Sequence, residues 1–154
     1  MKRFKILSLV VLLMVGVVCF GGCDLFNRDN TFEVLSNSMY PTLKVGDKVV
    51  VEERDNYVVG DIVVFNTAVP TVVHRIIGIT TEGETTYYIC HGDNVQSANP
   101  NSETLIAAWQ DDANYIQGLI DNDKTIEQIR DEALNVQIIT YNQIEGVVVR
   151  VIKK

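Results

Sequence analysis

Thr71-Val72-Val73-His74-Arg75-Ile76-Ile77-Gly78-Ile79-Thr80 is the stretch on which the reading of this chain turns. Its β-branched side chains favour extended backbone, and an apolar run of this kind reads as a strand of a packed sheet. An imidazole in the middle of such a run is a misfit unless a partner receives it, because an unpaired polar ring is costly to bury.

The same unit, a short Val/Ile-rich run closed by a turn signal, recurs on both sides. The predicted strands are Thr31 to Leu35, Lys48 to Glu53, Asp61 to Asn66, Thr71 to Thr80, Thr85 to Cys90, Val136 to Tyr141 and Ile144 to Ile152. Gly-Asp occurs at 46–47, 60–61 and 92–93. Glycine suits turns that need positive φ, and aspartate bonds its own backbone there. The first two pairs each open a strand. The expected fold is mainly β, an antiparallel sheet system.

Between Glu103 and Leu134 the texture changes. Leu105, Ala108 and Trp109 recur at helical spacing, as do Ile126, Ile129 and Ala133, which predicts a small helical insertion over about 103–134. Apolar helix faces of this kind pack against their neighbours.

Composition narrows the class. The chain has 154 residues, 47% hydrophobic and 21% charged, enough for one domain with a real core. Its 10 Gly and 3 Pro exclude collagenous or linker-like sequence. With 13 Lys+Arg against 20 Asp+Glu, the net charge is −7 and no basic run exceeds two residues, which speaks against nucleic acid as a partner.

The positive charge is concentrated at one end. Lys2, Arg3 and Lys5 precede the apolar run Ile6 to Phe20, the pattern of a secretory signal. Residues 1–22 are read as a signal peptide or a membrane anchor, although the run is short for a full span. Either way, the basic start stays inside and the remainder lies on the extracytoplasmic side of the cell membrane. Phe20-Gly21-Gly22-Cys23 resembles the lipobox of bacterial lipoproteins, which makes Cys23 an acylation candidate and membrane lipid a partner. Residues 23–30 then form a linker and 31–152 the sheet domain. If Cys23 is lipidated, Cys19 leaves with the signal and Cys90 is the only free thiol, so no intrachain disulfide is possible.

The chemistry-bearing residues are few. Ser36-Asn37-Ser38-Met39-Tyr40-Pro41-Thr42-Leu43 places two serines two apart ahead of a Pro-Thr turn. A serine becomes a nucleophile only with a base beside it, and the chain has just two histidines, His74 and His91. An unperturbed imidazole titrates near about 6.5 and is a competent base at neutral pH, whereas a lysine near about 10.4 must first be stripped of water. No lysine occurs between Lys48 and Lys124.

These segments together resemble the type I signal peptidases. Ser36 to Leu43 is similar to that family's S-x-S-M-x-P-T-L box, and Gly46-Asp47 and Gly60-Asp61-Ile62-Val63-Val64-Phe65 match its next segments. Val73-His74-Arg75-Ile76-Ile77-Gly78 stands where most bacterial members carry Lys-Arg, and histidine there marks the endoplasmic-reticulum-type branch. Gly92-Asp93-Asn94 resembles the Gly-Asp-Asn box, and Ile144-Glu145-Gly146-Val147-Val148 the last strand. The likeness covers roughly 31–99 and 136–152.

The resemblance implies a set of roles. Ser38 is the nucleophile, Ser36 and the Ser38 N–H bind the oxyanion, and His74 moves the proton. The family places an acidic residue in or just after the Gly-Asp-Asn box to orient the base. Asp93 takes that role by position, with Asn99 as the fallback, since the next carboxylate is Glu103. Met39, Tyr40 and Pro41 are assigned to the substrate groove, with packing under the nucleophile loop or contact with the membrane interface as the alternatives for Met39 and Tyr40. The implied activity is removal of signal peptides from exported preproteins after small residues, with no metal or other cofactor.

Two other functions fit parts of the sequence. A lipoprotein that keeps the fold as a non-catalytic binding module would account for the missing second carboxylate. A repressor-type self-cleaving protease shares the sheet fold, but the export signal, the absent lysine and the lack of a helix-turn-helix pattern speak against it.

Overall fold

The computed structural model of the protein describes residues 30–68, 71–103 and 108–154. The signal or anchor segment, Cys23 and nearly all of the 23–30 linker lie outside the described residues, as does Leu105. Among the described residues no helix is long and apolar enough to cross a membrane.

The seven expected strands are all present: β1 (Thr31–Glu33), β2 (Lys48–Glu52), β3 (Ile62–Asn66), β4 (Thr71–Glu82), β5 (Thr85–His91), β6 (Gln137–Thr140) and β7 (Ile144–Ile152). They form one sheet in the order β1-β2-β7-β3-β4-β5-β6, antiparallel throughout. Strand ends differ from expectation by one or two residues where local hydrogen bonds intervene. β6 stops at Thr140 because Gln143 Oε1 accepts from the Thr140 N–H at 3.0 Å, and Tyr141–Gln143 coils into a 3₁₀ turn.

Alternation along the strands builds two cores. Val63, Phe65, Ile76, Tyr88, Cys90, Ile139 and Val147 form one, while Val34, Met39, Leu43, Val49, Val51 and Val64 form the other. Val63 and Phe65 thus face one core and the intervening Val64 the other.

The helical insertion consists of α1 (Trp109–Asp121) and α2 (Ile126–Glu132). α1 starts at Trp109, with Ala108 as its cap, so the apolar spacing that includes Ala108 begins just before the helix. Asp111 and Asp112 occupy its first turn, where the helix dipole favours negative charge. α2 starts on a Thr125–Gln128 capping box. Ile116, Ile129, Ala133, Ile77, Ile89 and Ala98 form a third core between the helices and the sheet. Gly78 makes the docking possible, since a Cβ there would come within 2.4 Å of Ile116 Cγ2. The insertion therefore packs on the sheet, and it also holds a loop of the candidate site.

Candidate active site

The segment from Ser36 to Leu43 leaves β1 and is closed at its base by two backbone bonds, Val34 N–H to Asp47 O at 2.8 Å and Gly46 N–H to Val34 O at 2.9 Å. Met39 and Leu43 are fully buried beneath it, and Leu43 N–H bonds Met39 O at 2.9 Å to form one helical turn. Asp47 reinforces the base: its carboxylate accepts from Lys153 Nζ at 2.9 Å and from the N–H of Lys44 at 3.0 Å and of Lys154 at 3.2 Å. These bonds, Lys153 foremost, hold its carboxyl below the usual range.

The Gly-Asp-Asn segment grips the serine loop from its other side. Asn94 N–H donates to Ser38 O at 2.8 Å, and Asn94 Nδ2 donates to Asn37 O at 2.9 Å. Ser38 is half-buried, and its hydroxyl lies 3.1 Å from the Ser36 hydroxyl. The two serines of the box are thus side by side.

His74 arrives from β4 and is buried. A Cβ on Gly92 would stand 2.6 Å from Ser38 O and 3.0 Å from His74 Nε2. Gly92 is therefore the point across which the serine loop and the imidazole meet, and only glycine leaves room for both. Burial is the main influence on the ring: it pushes the His74 pKa below the ordinary imidazole value, outweighing the hydrogen bond to Gln137. The ring is accordingly neutral at neutral pH.

Nδ1 of His74 lies 2.6 Å from Gln137 Oε1 at the start of β6. The other end of that amide is committed, Gln137 Nε2 donating to Asn135 O at 3.2 Å. Oxygen is therefore the atom turned to the ring, and Nδ1 carries the hydrogen. The free electron pair sits on Nε2, on the side of Gly92 and Ser38.

Asp93 is placed elsewhere than expected. Its carboxylate receives Arg75 Nε at 2.9 Å and Arg75 Nη2 at 2.7 Å, and the Thr42 hydroxyl donates to it as well. Successive residues of a strand point to opposite faces, so Arg75 is turned away from the His74 side and takes Asp93 with it. Arg75 also donates to Gly60 O at 2.9 Å and lies 4.9 Å from the Trp109 ring centre. Asp93 thus ties β4 to the serine loop and acts on His74 only through longer-range charge. Asn99 is likewise occupied locally, its side-chain oxygen accepting from Asn101 N–H at 2.9 Å.

Met39 is packed in the core under the loop and not at a groove. Tyr40 and Pro41 are exposed, with Lys44 Nζ 6.0 Å from the Tyr40 ring centre. A groove of about 250 Å³ does open beside the loop, lined mainly by Phe32, Leu35, Val49, Val64 and Val73. Leu35 directly precedes Ser36, while Val73, Val64 and Val49 belong to the second core, on the sheet face opposite His74, so the groove adjoins the serine loop and not the imidazole.

His91 is buried away from the serines. Its Nδ1 lies 3.2 Å from Asp112 Oδ2 and its Nε2 3.1 Å from Gln96 O. Asp112 also accepts from Ser97 Oγ at 2.7 Å and Ala98 N–H at 2.9 Å, and Ala98 O accepts from Leu134 N–H at 2.9 Å. The insertion thereby fixes the loop that follows the Gly-Asp-Asn segment. Sequence reading missed both Asp112 and Gln137. Gln137 had a visible signal, a polar residue opening the apolar run Val136 to Ile139.

A mainly antiparallel sheet that holds a serine loop against a buried neutral imidazole, with an apolar groove alongside, has the layout of a peptidase. Residues 4–126 match the family described as Signal peptidase, peptidase S26, and the chain belongs to that family. The family's reaction is the removal of signal peptides, and its substrates are the preproteins that bear them. None of the curated proteins compared with the chain matches it.

Proposed function

We propose that the chain is a membrane-attached serine endopeptidase that cleaves signal peptides from exported preproteins by Ser38/His74 chemistry, as in the endoplasmic-reticulum-type branch. The Ser38 hydroxyl adds to the scissile carbonyl while its proton passes to His74 Nε2. The developing oxyanion is held by the Ser36 hydroxyl and the Ser38 N–H. The C–N bond then breaks, the leaving amine takes the proton from His74, and water hydrolyses the ester by the same route.

The observation that carries this reading is the neutral His74 ring, protonated on Nδ1 and presenting Nε2 toward Ser38 across Gly92. Three of the described lysines are engaged elsewhere: Lys44 lies near the Tyr40 ring, Lys153 bonds Asp47 and Lys124 bonds Glu132. In the free enzyme the Ser38 hydroxyl rests on Ser36, and substrate would turn it to the base, since catalytic hydrogen bonds often tighten only in the complex. The mainly apolar groove at Leu35, next to the serine loop, suits small side chains ahead of the cut. β1 is a sheet edge, able to pair with the extended peptide. The N-terminal segment, with Cys23 as lipidation site or residues 1–22 as anchor, would keep Ser38 near the membrane surface on the extracytoplasmic side.

The test is cleavage of an Ala-x-Ala signal-peptide reporter by the full chain in detergent. Ser38→Ala and His74→Ala should each abolish it. Wild-type rates in His74→Ala would overturn the reading, as would an acylating probe that labels Ser38→Ala as strongly as wild type.

A further inference from the structure

We propose that Gln137 is the positioning residue for His74, a neutral amide in the place where Ser/His/Asp enzymes keep a carboxylate. The inference rests on His74 being the base. Gln137 touches neither substrate nor Ser38; it acts through the ring.

Three features support it. The 2.6 Å contact joins Nδ1 to an atom that can only accept, which selects the Nδ1–H tautomer and frees Nε2. The amide cannot turn over without losing its bond to Asn135 O, so the selection is built into the entry to β6. Among the described residues no carboxylate is hydrogen-bonded to the ring. The charged or titratable groups that act on His74 are His91 and Asp93; Asp93 is held by Arg75 and Thr42, and His91 by Asp112 and Gln96 O. The Phe65 ring, 6.3 Å away, covers the ring edge-on.

An amide orients the imidazole as a carboxylate would but brings no full charge. During proton transfer the ring becomes imidazolium, and Gln137 offers it only a dipole. The enzyme therefore gains a base that stays unprotonated to lower pH and gives up part of the charge stabilisation of the transition state. Gln137→Glu would exchange one property for the other. An adjacent opposite charge raises an imidazole pKa by about 1 to 3 units, so the acid limb of kcat/KM should move up by at least about one pH unit. Gln137→Leu keeps the bulk and removes the acceptor. It should lower kcat about ten- to hundredfold with little change in KM, because tautomer and ring orientation are lost while the groove is untouched.

The experiment uses the full chain in detergent micelles, labelled with ¹⁵N-histidine. Wild type should show His74 protonated on Nδ1 with a downfield Nδ1–H resonance. Gln137→Leu should lose that resonance, and Gln137→Glu should keep it and titrate at higher pH, in step with its kcat/KM profile. Unchanged His74 spectra and an unmoved acid limb in Gln137→Glu would overturn the proposal. If Gln137→Leu fails to fold, the near-isosteric Gln137→Glu still decides it. His74→Ala separates the two readings: full activity there would sink the catalytic assignment, while the spectra would still report whether Gln137 holds the ring.

Discussion

Asp112→Ala should be among the most destabilising single substitutions in the domain, although Asp112 lies outside the proposed catalytic machinery. The carboxylate is almost completely buried and serves three groups at once: His91 Nδ1 at 3.2 Å, Ser97 Oγ at 2.7 Å and Ala98 N–H at 2.9 Å. Both nitrogens of His91 face acceptors, Asp112 Oδ2 and Gln96 O. Truncation takes away the partner that Asp112 gives to His91 Nδ1, Ser97 Oγ and Ala98 N–H, all in the interior. At about 1 to 3 kcal/mol for each buried polar group left unsatisfied, less some relaxation, the loss comes to about 3 to 5 kcal/mol. At roughly 3 to 5 °C per kcal/mol for a domain of this size, Tm should fall by about 10 to 20 °C. Asp112→Asn should cost much less, because its oxygen can still receive Ser97 and Ala98 while its amide stays next to His91 Nδ1. The pH dependence gives an internal check. Burial pushes the Asp112 carboxyl up, but bonds from His91, Ser97 and Ala98 outweigh it and the pKa is lowered. The stabilisation is then complete above the unfolded value of about 3.9 and is lost as pH falls through the folded one. Thermal melts by circular dichroism at pH 7 and pH 3 measure both effects. A Tm drop of less than about 3 °C for Asp112→Ala at pH 7 would refute the reasoning.

Because burial lowers the His74 pKa, kcat/KM of wild type should hold until pH falls below about 6.5 and decline only under that value; an acid limb centred above 6.5 in a pH-rate profile would contradict this. Gly92→Ala should cut kcat about a hundredfold, since the added methyl would sit 2.6 Å from Ser38 O and 3.0 Å from His74 Nε2 and must push the two apart. A rate within threefold of wild type, from steady-state reporter cleavage, would show that they do not meet there. Asp93→Asn should lower Tm by several degrees through its weakened hold on Arg75, while moving the acid limb only slightly downward. A pH-profile shift of more than about one unit would return Asp93 to the role of orienting partner.

All seven strands were legible because each is a short β-branched run with its own turn signal, and local pattern suffices for that. The serine loop was legible for a different reason, its motif being contiguous in sequence. Asp93 was not, because adjacency to a motif says nothing about facing: Arg75 is one residue from His74 but points the other way, and it takes the carboxylate with it. Met39 stayed open in the sequence, since a large apolar residue in the serine loop can line a groove or wedge the loop in place, and only the packing decides. Gln137 could be noticed as a polar residue in an apolar run, but its partner could not be read, since the pairing with His74 spans 63 positions and depends on the sheet order.

The ladder between β5 and β6 pairs Cys90 with Gln137, and beyond the Gly-Asp-Asn segment the chain from about residue 100 to Val136 is a detour between these neighbours. Natural variation could lengthen, shorten or rebuild that detour while the two strands stay adjacent. It could not alter the phase at which the chain returns. A slip of one residue in β6 would turn Gln137 to the opposite face and bring an aliphatic neighbour to His74 in its place. In a divergent lineage, the size of the excursion is free to drift, and selection on the base is expected to act on the parity of the strand that follows.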